Sequence, residues 1–408
     1  MGDLQIEVEA GEVGLDAGRL GRIDRHFAHY VDDGRLAGFL VAVSRHGELA
    51  HLVTYGQRDL EAALPVEVDT LWRMYSMTKP VTSVAALMLC EEGLVDLRDP
   101  IHRYLPAWSE PRVYSGGAGP GVLTRPAMEP IRVWHLLTHT AGLTYGFHHA
   151  HPVDALYRAA GFEWGSPRDL DLAGVCDAYA QLPLLFDPGA EWNYSVATDV
   201  LGRLVEVVSG QSLDRFFAER IFGPLGMTDA GFFVDEARSQ RLAALYGPDP
   251  DGRARPINGR AVLRRPACVS GGGGMVATAG DYHRFTEMLR RRGELDGVRL
   301  LGPRTVDFMT SNHLPAQVDL AEFGRPLYAE SGFDGVGFGL GVAVTIDPVK
   351  AKVPSSPGEY NWGGAASTTF WVDPVEDLSV QFLTQLLPSS THPIRPQLKQ
   401  LVYQALVD

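Results

Sequence analysis

The two ends of this chain carry the same pattern in opposite order, and this constrains the fold more than any other feature. Within Asp16 to Gly34, apolar residues at Leu20, Ile23, Phe27, Tyr30 and Val31 recur at helical spacing. Two β-rich runs follow, Gly38 to Val43 and Leu49 to Tyr55, around Arg45-His46-Gly47-Glu48, and together they read as a hairpin. Near the other end, Ser367 to Val372 and Leu378 to Leu383 flank Asp373-Pro374-Val375-Glu376-Asp377, a second hairpin. An amphipathic stretch from Pro396 to Val407 then closes the chain as a helix. Hairpin strands are antiparallel. The economical architecture is one antiparallel sheet built from both chain ends and covered by the two terminal helices, an α+β fold. Residues 1–75 and 246–408 form this discontinuous sheet domain in that reading. Residues 76–245, with helical patterns and long polar connections, form a mostly helical one. Tyr114 to Met128, with its Gly and Pro, reads as a surface loop or an insertion.

Composition removes several function classes. Lys and Arg total 36 against 50 Asp and Glu, a formal net charge of −14 over 408 residues. Such a chain repels phosphate backbones and no run of five basic residues offsets this, so no nucleic-acid partner is expected. The most apolar stretch, Val81 to Cys90, stops at Glu91-Glu92, well short of the roughly 18 residues of a membrane span. No membrane partner is expected either. The acidic start MGDLQIEVEAGEVGLDAG has neither the basic nor the apolar segment of a secretory signal, so a cytoplasmic location is expected. Cys90, Cys176 and Cys268 are odd in number and widely spaced, which suits reduced core residues rather than disulfides or a zinc site.

Other motifs are bait. His135 and His139 have the spacing of a zinc-binding HExxH helix, but Leu136 stands where Glu is required. His148, His149 and His151 cluster in a loop without Cys or carboxylate partners at ligand spacing. They line a pocket or are solvated; the sequence does not decide. No metal is expected at either place. Gly271 to Gly274 is not followed by Gly-Lys-Ser/Thr, so it is no phosphate loop. Gly335, Gly337, Gly339 and Gly341 alternate with apolar residues, which leaves one face bare where another element approaches closely.

The strong signal is Ser76-Met77-Thr78-Lys79, followed by Pro80 and an apolar helix through Val84, Leu87 and Met88. Proline is tolerated only in a first helical turn, so the helix starts near residue 77 with Ser76 at its N-terminus. Ser76 and Lys79, three apart, then share one face within hydrogen-bonding reach. A serine hydroxyl is a weak nucleophile until a neighbouring base takes its proton, and Lys79 becomes that base if burial lowers its pKa. Only four of the 36 basic residues are lysines, so a lysine here suits a task Arg cannot perform, releasing a proton.

Ser76-Met77-Thr78-Lys79-Pro80, the downstream His135-Leu136-Leu137-Thr138-His139-Thr140-Ala141-Gly142-Leu143 and Gly272-Gly273-Gly274-Met275-Val276-Ala277-Thr278 together resemble the serine β-lactamase and penicillin-binding-protein superfamily. The class C-like branch is closest, and within it the family VIII carboxylesterases. The resemblance runs from about residue 16 to the C-terminus. It implies a three-layer α/β/α fold with the active site in the cleft between sheet and helical domains. The second family motif, Tyr-x-Asn, is matched at Tyr194 but has Val196 in place of Asn. A tyrosine beside a Ser–Lys pair can relay a proton. The third motif, Lys-Thr-Gly, corresponds to Trp362-Gly363-Gly364, small residues that let a substrate lie along the strand, and the analogy puts oxyanion-holding N–H groups at Ser76 and Ala365.

Tryptophan cannot neutralise a carboxylate, so the site is expected to take neutral esters, with Trp362 as an apolar wall. The implied activity is a serine carboxylesterase on small esters, acting through an acyl-enzyme on Ser76 with Lys79 and Tyr194, without cofactor and with weak β-lactam turnover. A class C-like β-lactamase or D,D-peptidase, an acyltransferase, and a catalytically silent binding protein fit the same residues. The oligomeric state is not legible.

Overall fold

The computed structural model describes residues 4–408. In chain order its main elements are helix α1 (Ala17–Asp32), strands β1 (Gly38–Arg45), β2 (Glu48–Asp59) and β3 (Leu64–Pro65), and helices α2 (Thr78–Glu91), α3 (Ala197–Ser209) and α4 (Ala279–Arg290). Strands β4 (Val336–Phe338), β5 (Ala343–Thr345), β6 (Tyr360–Gly363), β7 (Thr369–Asp373) and β8 (Leu378–Leu383) follow, and helix α5 (Ile394–Tyr403) ends the chain. Asp16 starts α1 by accepting the Arg19 N–H at 2.8 Å. The eight strands form one antiparallel sheet in the order β4-β5-β6-β7-β8-β1-β2-β3. Its central seam joins the two ends of the chain, with Leu40 opposite Leu383 and Val43 opposite Val380.

Side chains alternate across a strand, and here both faces are apolar. Phe39, Val41 and Val43 meet Phe382, Trp371 and the α1 and α5 residues Phe27, Leu398 and Val402 in one core. The alternate residues Leu40, Ala42, Phe370, Val372 and Leu383 belong to a second core, shared with Tyr282, Phe285 and Met288 of α4. The result is three layers, terminal helices, sheet and inner helices. The inner core runs on without a break through Val81 and Val84 of α2 to Val200 and Leu204 of α3.

Two local features sharpen the reading from sequence. Tyr114 to Met128 is no plain loop: Arg112–Gly116 and Leu123–Pro126 pair as a small antiparallel hairpin. Along the second glycine run, a Cβ at Gly337 would collide with Asn312, at Gly339 with the Met309 carbonyl and at Gly341 with the Ser83 hydroxyl. The bare face therefore lies against neighbouring backbone and side chains, although only Val336–Phe338 of the run is strand. Cys90, Cys176 and Cys268 are unpaired. Among the described residues no helix is long and apolar enough to cross a membrane.

Candidate active site

A short antiparallel ribbon, Trp72–Arg73 with Val276–Ala277, delivers the chain to Ser76. Tyr75, just before it, is held at φ 46°, a left-handed conformation that costs a non-glycine residue about 1–3 kcal/mol. The chain then makes one tight turn, Tyr75–Met77, and runs into α2. Pro80 sits in the first turn of α2, where it removes no intrahelical bond. The turn is tied down by Thr78, whose hydroxyl donates to the Tyr75 carbonyl at 2.6 Å and accepts the Met275 N–H at 3.0 Å. Ser76 is left 8% exposed.

Two polar side chains converge on that serine. The Tyr194 hydroxyl donates to Ser76 Oγ at 2.5 Å, and Lys79 Nζ lies 3.3 Å from the same atom. Lys79 also donates to the Tyr145 hydroxyl at 2.9 Å and to the Gly272 carbonyl at 2.7 Å. Burial lowers the Lys79 pKa to about 8, against an opposing pull from Asp199 and Glu330. Burial also drives the phenols of Tyr194 and Tyr145 well above their ordinary value, so both stay protonated near neutrality. Gly272 O accepts only, whereas the two hydroxyl partners can turn either way. A neutral Lys79 thus keeps one proton on Gly272 O and offers its lone pair to Ser76 or to a hydroxyl linked to it.

Tyr145 was not singled out in the sequence, although it stands two residues beyond the His135–Leu143 segment. That segment folds under the site. His139 is buried, in a left-handed conformation, with its ring edge-on to Tyr194 at 5.2 Å and Nδ1 3.2 Å from Ser195 Oγ. Burial and the Lys79 charge push its pKa well below the ordinary value, so it is a neutral support. His135 accepts the Arg132 N–H at 3.0 Å. In the following loop His148 Nε2 donates to the Tyr194 carbonyl at 2.9 Å, His149 pairs with exposed Glu163, and His151 accepts the Val153 N–H at 3.2 Å at a helix start. The three histidines brace or cap. Val196, where the family motif has Asn, is buried.

The glycine loop after Cys268 forms a collar around the start of α2. Gly271 O accepts from Thr82 at 2.7 Å, and Gly272 O accepts from Lys79. Buried Asp199 on α3 fixes the collar by accepting the Gly272 N–H at 3.0 Å and the Ser270 hydroxyl at 2.6 Å. Nothing in the local sequence around Asp199 signalled this.

Strand β6 supplies the third side of the site. A Cβ at Gly364 would meet the Met74 carbonyl, so glycine lets the strand end close on the Ser76 turn. The expected roles change here. Trp362 is 0% exposed and packs edge-on against Tyr194 and Phe338, each at 5.4 Å. It backs the phenol instead of walling a substrate, because its position on β6 faces the inner core. Gly363 points the opposite way, and a Cβ there would collide with the Arg395 guanidinium. Arg395 thus fills the face that Gly363 leaves bare. Ala365 is half-buried, and its N–H donates to no group among the described residues.

Residues 23–404 match the family described as Beta-lactamase. Protein Rv1367c of Mycobacterium tuberculosis (strain ATCC 25618 / H37Rv) is 39% identical over 88% of each chain. Esterase EstB of Burkholderia gladioli is 35% identical over 95% of this chain and 96% of its own. Among solved structures, EstCE1, described as a hydrolase with promiscuous acyltransferase activity, superposes with a TM-score of 0.79 at 29% identity, covering 95% of this chain and 98% of its own. Matched over nearly its whole length in sequence and fold, the chain belongs to the Beta-lactamase family, among its serine hydrolases near the family VIII esterases.

Proposed function

We propose that the protein is a carboxylesterase that hydrolyses small neutral esters through an acyl-enzyme on Ser76. Ser76 Oγ attacks the ester carbonyl while its proton passes to Lys79, directly or through Tyr194. The oxyanion forms between the N–H groups of Ser76 and Ala365. The alcohol leaves with a proton from Tyr194, which Lys79 replaces. Water then attacks the acyl-enzyme by the same path in reverse, returning the proton to Ser76.

The observation that carries this reading is the buried contact of Ser76, Tyr194 and a lysine whose pKa lies near 8. Preference for neutral esters is supported by Trp362 in place of the motif lysine and by Arg395, whose charge is taken up by Glu330 at 2.5 Å. An apolar substrate group is supported by an aromatic stack leading outward from Lys79: Tyr145 on Phe147 at 4.5 Å, then Phe147 on Trp164 at 4.9 Å. Trp164 is 64% exposed at the end of that stack. The resemblance to Esterase EstB supports ester chemistry.

The test is the initial rate on p-nitrophenyl butyrate for wild type and Ser76→Ala. Loss of a nucleophile should lower kcat by at least ~10³-fold. Comparable rates in the two proteins would remove Ser76 from the mechanism. Acyl transfer is a second reading, favoured by the likeness to EstCE1. It needs no further residue, only an alcohol that outcompetes water for the acyl-enzyme, and product analysis with an added alcohol separates the two.

A further inference from the structure

The Gly364–Ala365 peptide is gripped on its carbonyl side. Gly364 O accepts the Ser367 N–H at 3.0 Å, closing a turn, and also accepts Arg395 Nη2 at 3.1 Å. The same Nη2 donates to the Thr368 carbonyl at 3.2 Å, and Nη1 donates to the Glu330 carbonyl at 2.8 Å. The Glu330 carboxylate, 1% exposed, accepts from Nη2 at 2.5 Å and from the Tyr328 hydroxyl at 2.6 Å. Arg395 reaches this point from the first turn of α5. Gly363 is the residue that lets it in, because any side chain would occupy the space of the guanidinium.

In a trans peptide the C=O and the following N–H point in opposite directions. Two donors on Gly364 O, one of them charged, therefore fix Ala365 N–H on the opposite side. Donation to a carbonyl also polarises its peptide and strengthens the attached N–H as a donor. We infer that Arg395 is a positioning residue for the oxyanion site, holding and polarising the Gly364–Ala365 peptide from behind so that Ala365 N–H is presented to the reacting oxygen. Glu330 holds the guanidinium in this orientation and absorbs its charge. The inference rests on the reading of Ser76 as nucleophile and Ala365 N–H as an oxyanion donor.

The test compares wild type, Arg395→Lys and Arg395→Ala with p-nitrophenyl butyrate. Removing an oxyanion donor outright costs about 10²–10³-fold in kcat, so a weakened and disordered one should cost ~10-fold or more. Lysine keeps the charge beside Glu330 but cannot span Glu330, Gly364 and Thr368 together. We expect kcat to fall in both variants with KM nearly unchanged. Affinity for a butyl trifluoromethyl ketone, which forms an oxyanion on Ser76, should fall by the same factor as kcat/KM, and added guanidinium ion should restore part of the Arg395→Ala rate. A merely structural role would lower the melting temperature without moving the ketone affinity or giving rescue, and that outcome overturns the inference. Should Arg395→Ala not fold, Arg395→Lys alone decides, by the kcat and ketone criteria. Activity surviving in Ser76→Ala would overturn the nucleophile reading itself. An inactive Ser76→Ala beside a fully active Arg395→Lys would overturn only the role of Arg395.

Discussion

Lys79 is surrounded by groups that decide when it can act. Ser76, Tyr145, Tyr194 and Gly272 O touch it, His139 lies below, and the Asp199 and Glu330 charges favour its ammonium form. A base must be unprotonated, and with a pKa of about 8 the neutral fraction falls about tenfold per unit well below that value, is half at it and saturates above it. We therefore expect kcat/KM for p-nitrophenyl butyrate to fall about tenfold per unit as pH drops below 8 and to level off above it. Asp199→Asn removes a charge that raises this pKa, so its profile should be displaced to lower pH, and Asn can still accept from Gly272 and Ser270. A wild-type profile flat through pH 8 would argue against Lys79 as the base. An unshifted Asp199→Asn profile would instead separate Asp199 from Lys79.

At the level of the elements, packing explains the glycines. Gly341 and Gly93 both have positive φ, at 91° and 73°. A Cβ at Gly93 meets nothing, whereas one at Gly341 runs into Ser83 on α2, one turn beyond Lys79. Gly93→Ala should cost about 1 kcal/mol for backbone strain alone. Gly341→Ala should cost ~2–4 kcal/mol, since overpacking is added to it. Urea unfolding of the two variants measures the difference, and equal losses would mean that α2 yields to the methyl group. The same contrast shows what was legible in the sequence. The terminal helices, both hairpins, the start of α2 and the closeness of Ser76 to Lys79 follow from short-range periodicity and Pro80, and the structure has them. Tyr145, Asp199 and Arg395 reach the site through contacts with partners 66, 73 and 31 residues away along the chain, which no local pattern encodes. Trp362 was placed by motif position, but which way a strand residue faces depends on the sheet's register against its two cores.

On the scale of the whole molecule, the sheet makes the two chain ends one unit. Phe382 of β8 is fully buried and stacks on Phe39 of β1 at 5.6 Å and against Phe27 of α1 at 4.8 Å. Phe382→Ala should cost about 3–5 kcal/mol. Because the inner core is continuous from the sheet to α3, loss of esterase activity and of tryptophan fluorescence in urea should follow one curve in this variant. Two separated curves would show that the helical part keeps a stability of its own.

The central seam between β1 and β8 also has a consequence on the ribosome. Strand β1 is made well before its partner β8, on the order of 20–70 s earlier at about 5–20 residues per second. Through that interval one edge of the nascent hairpin stands open and apolar, an invitation to pair with another chain. Arg395, which follows β8, has not been made either, and the Gly364–Ala365 peptide is made only shortly before β8. The sheet is therefore completed only after β8 has been made, and a nascent chain halted before Leu378 carries the Ser76–Lys79 segment without the strand that covers the open edge of β1.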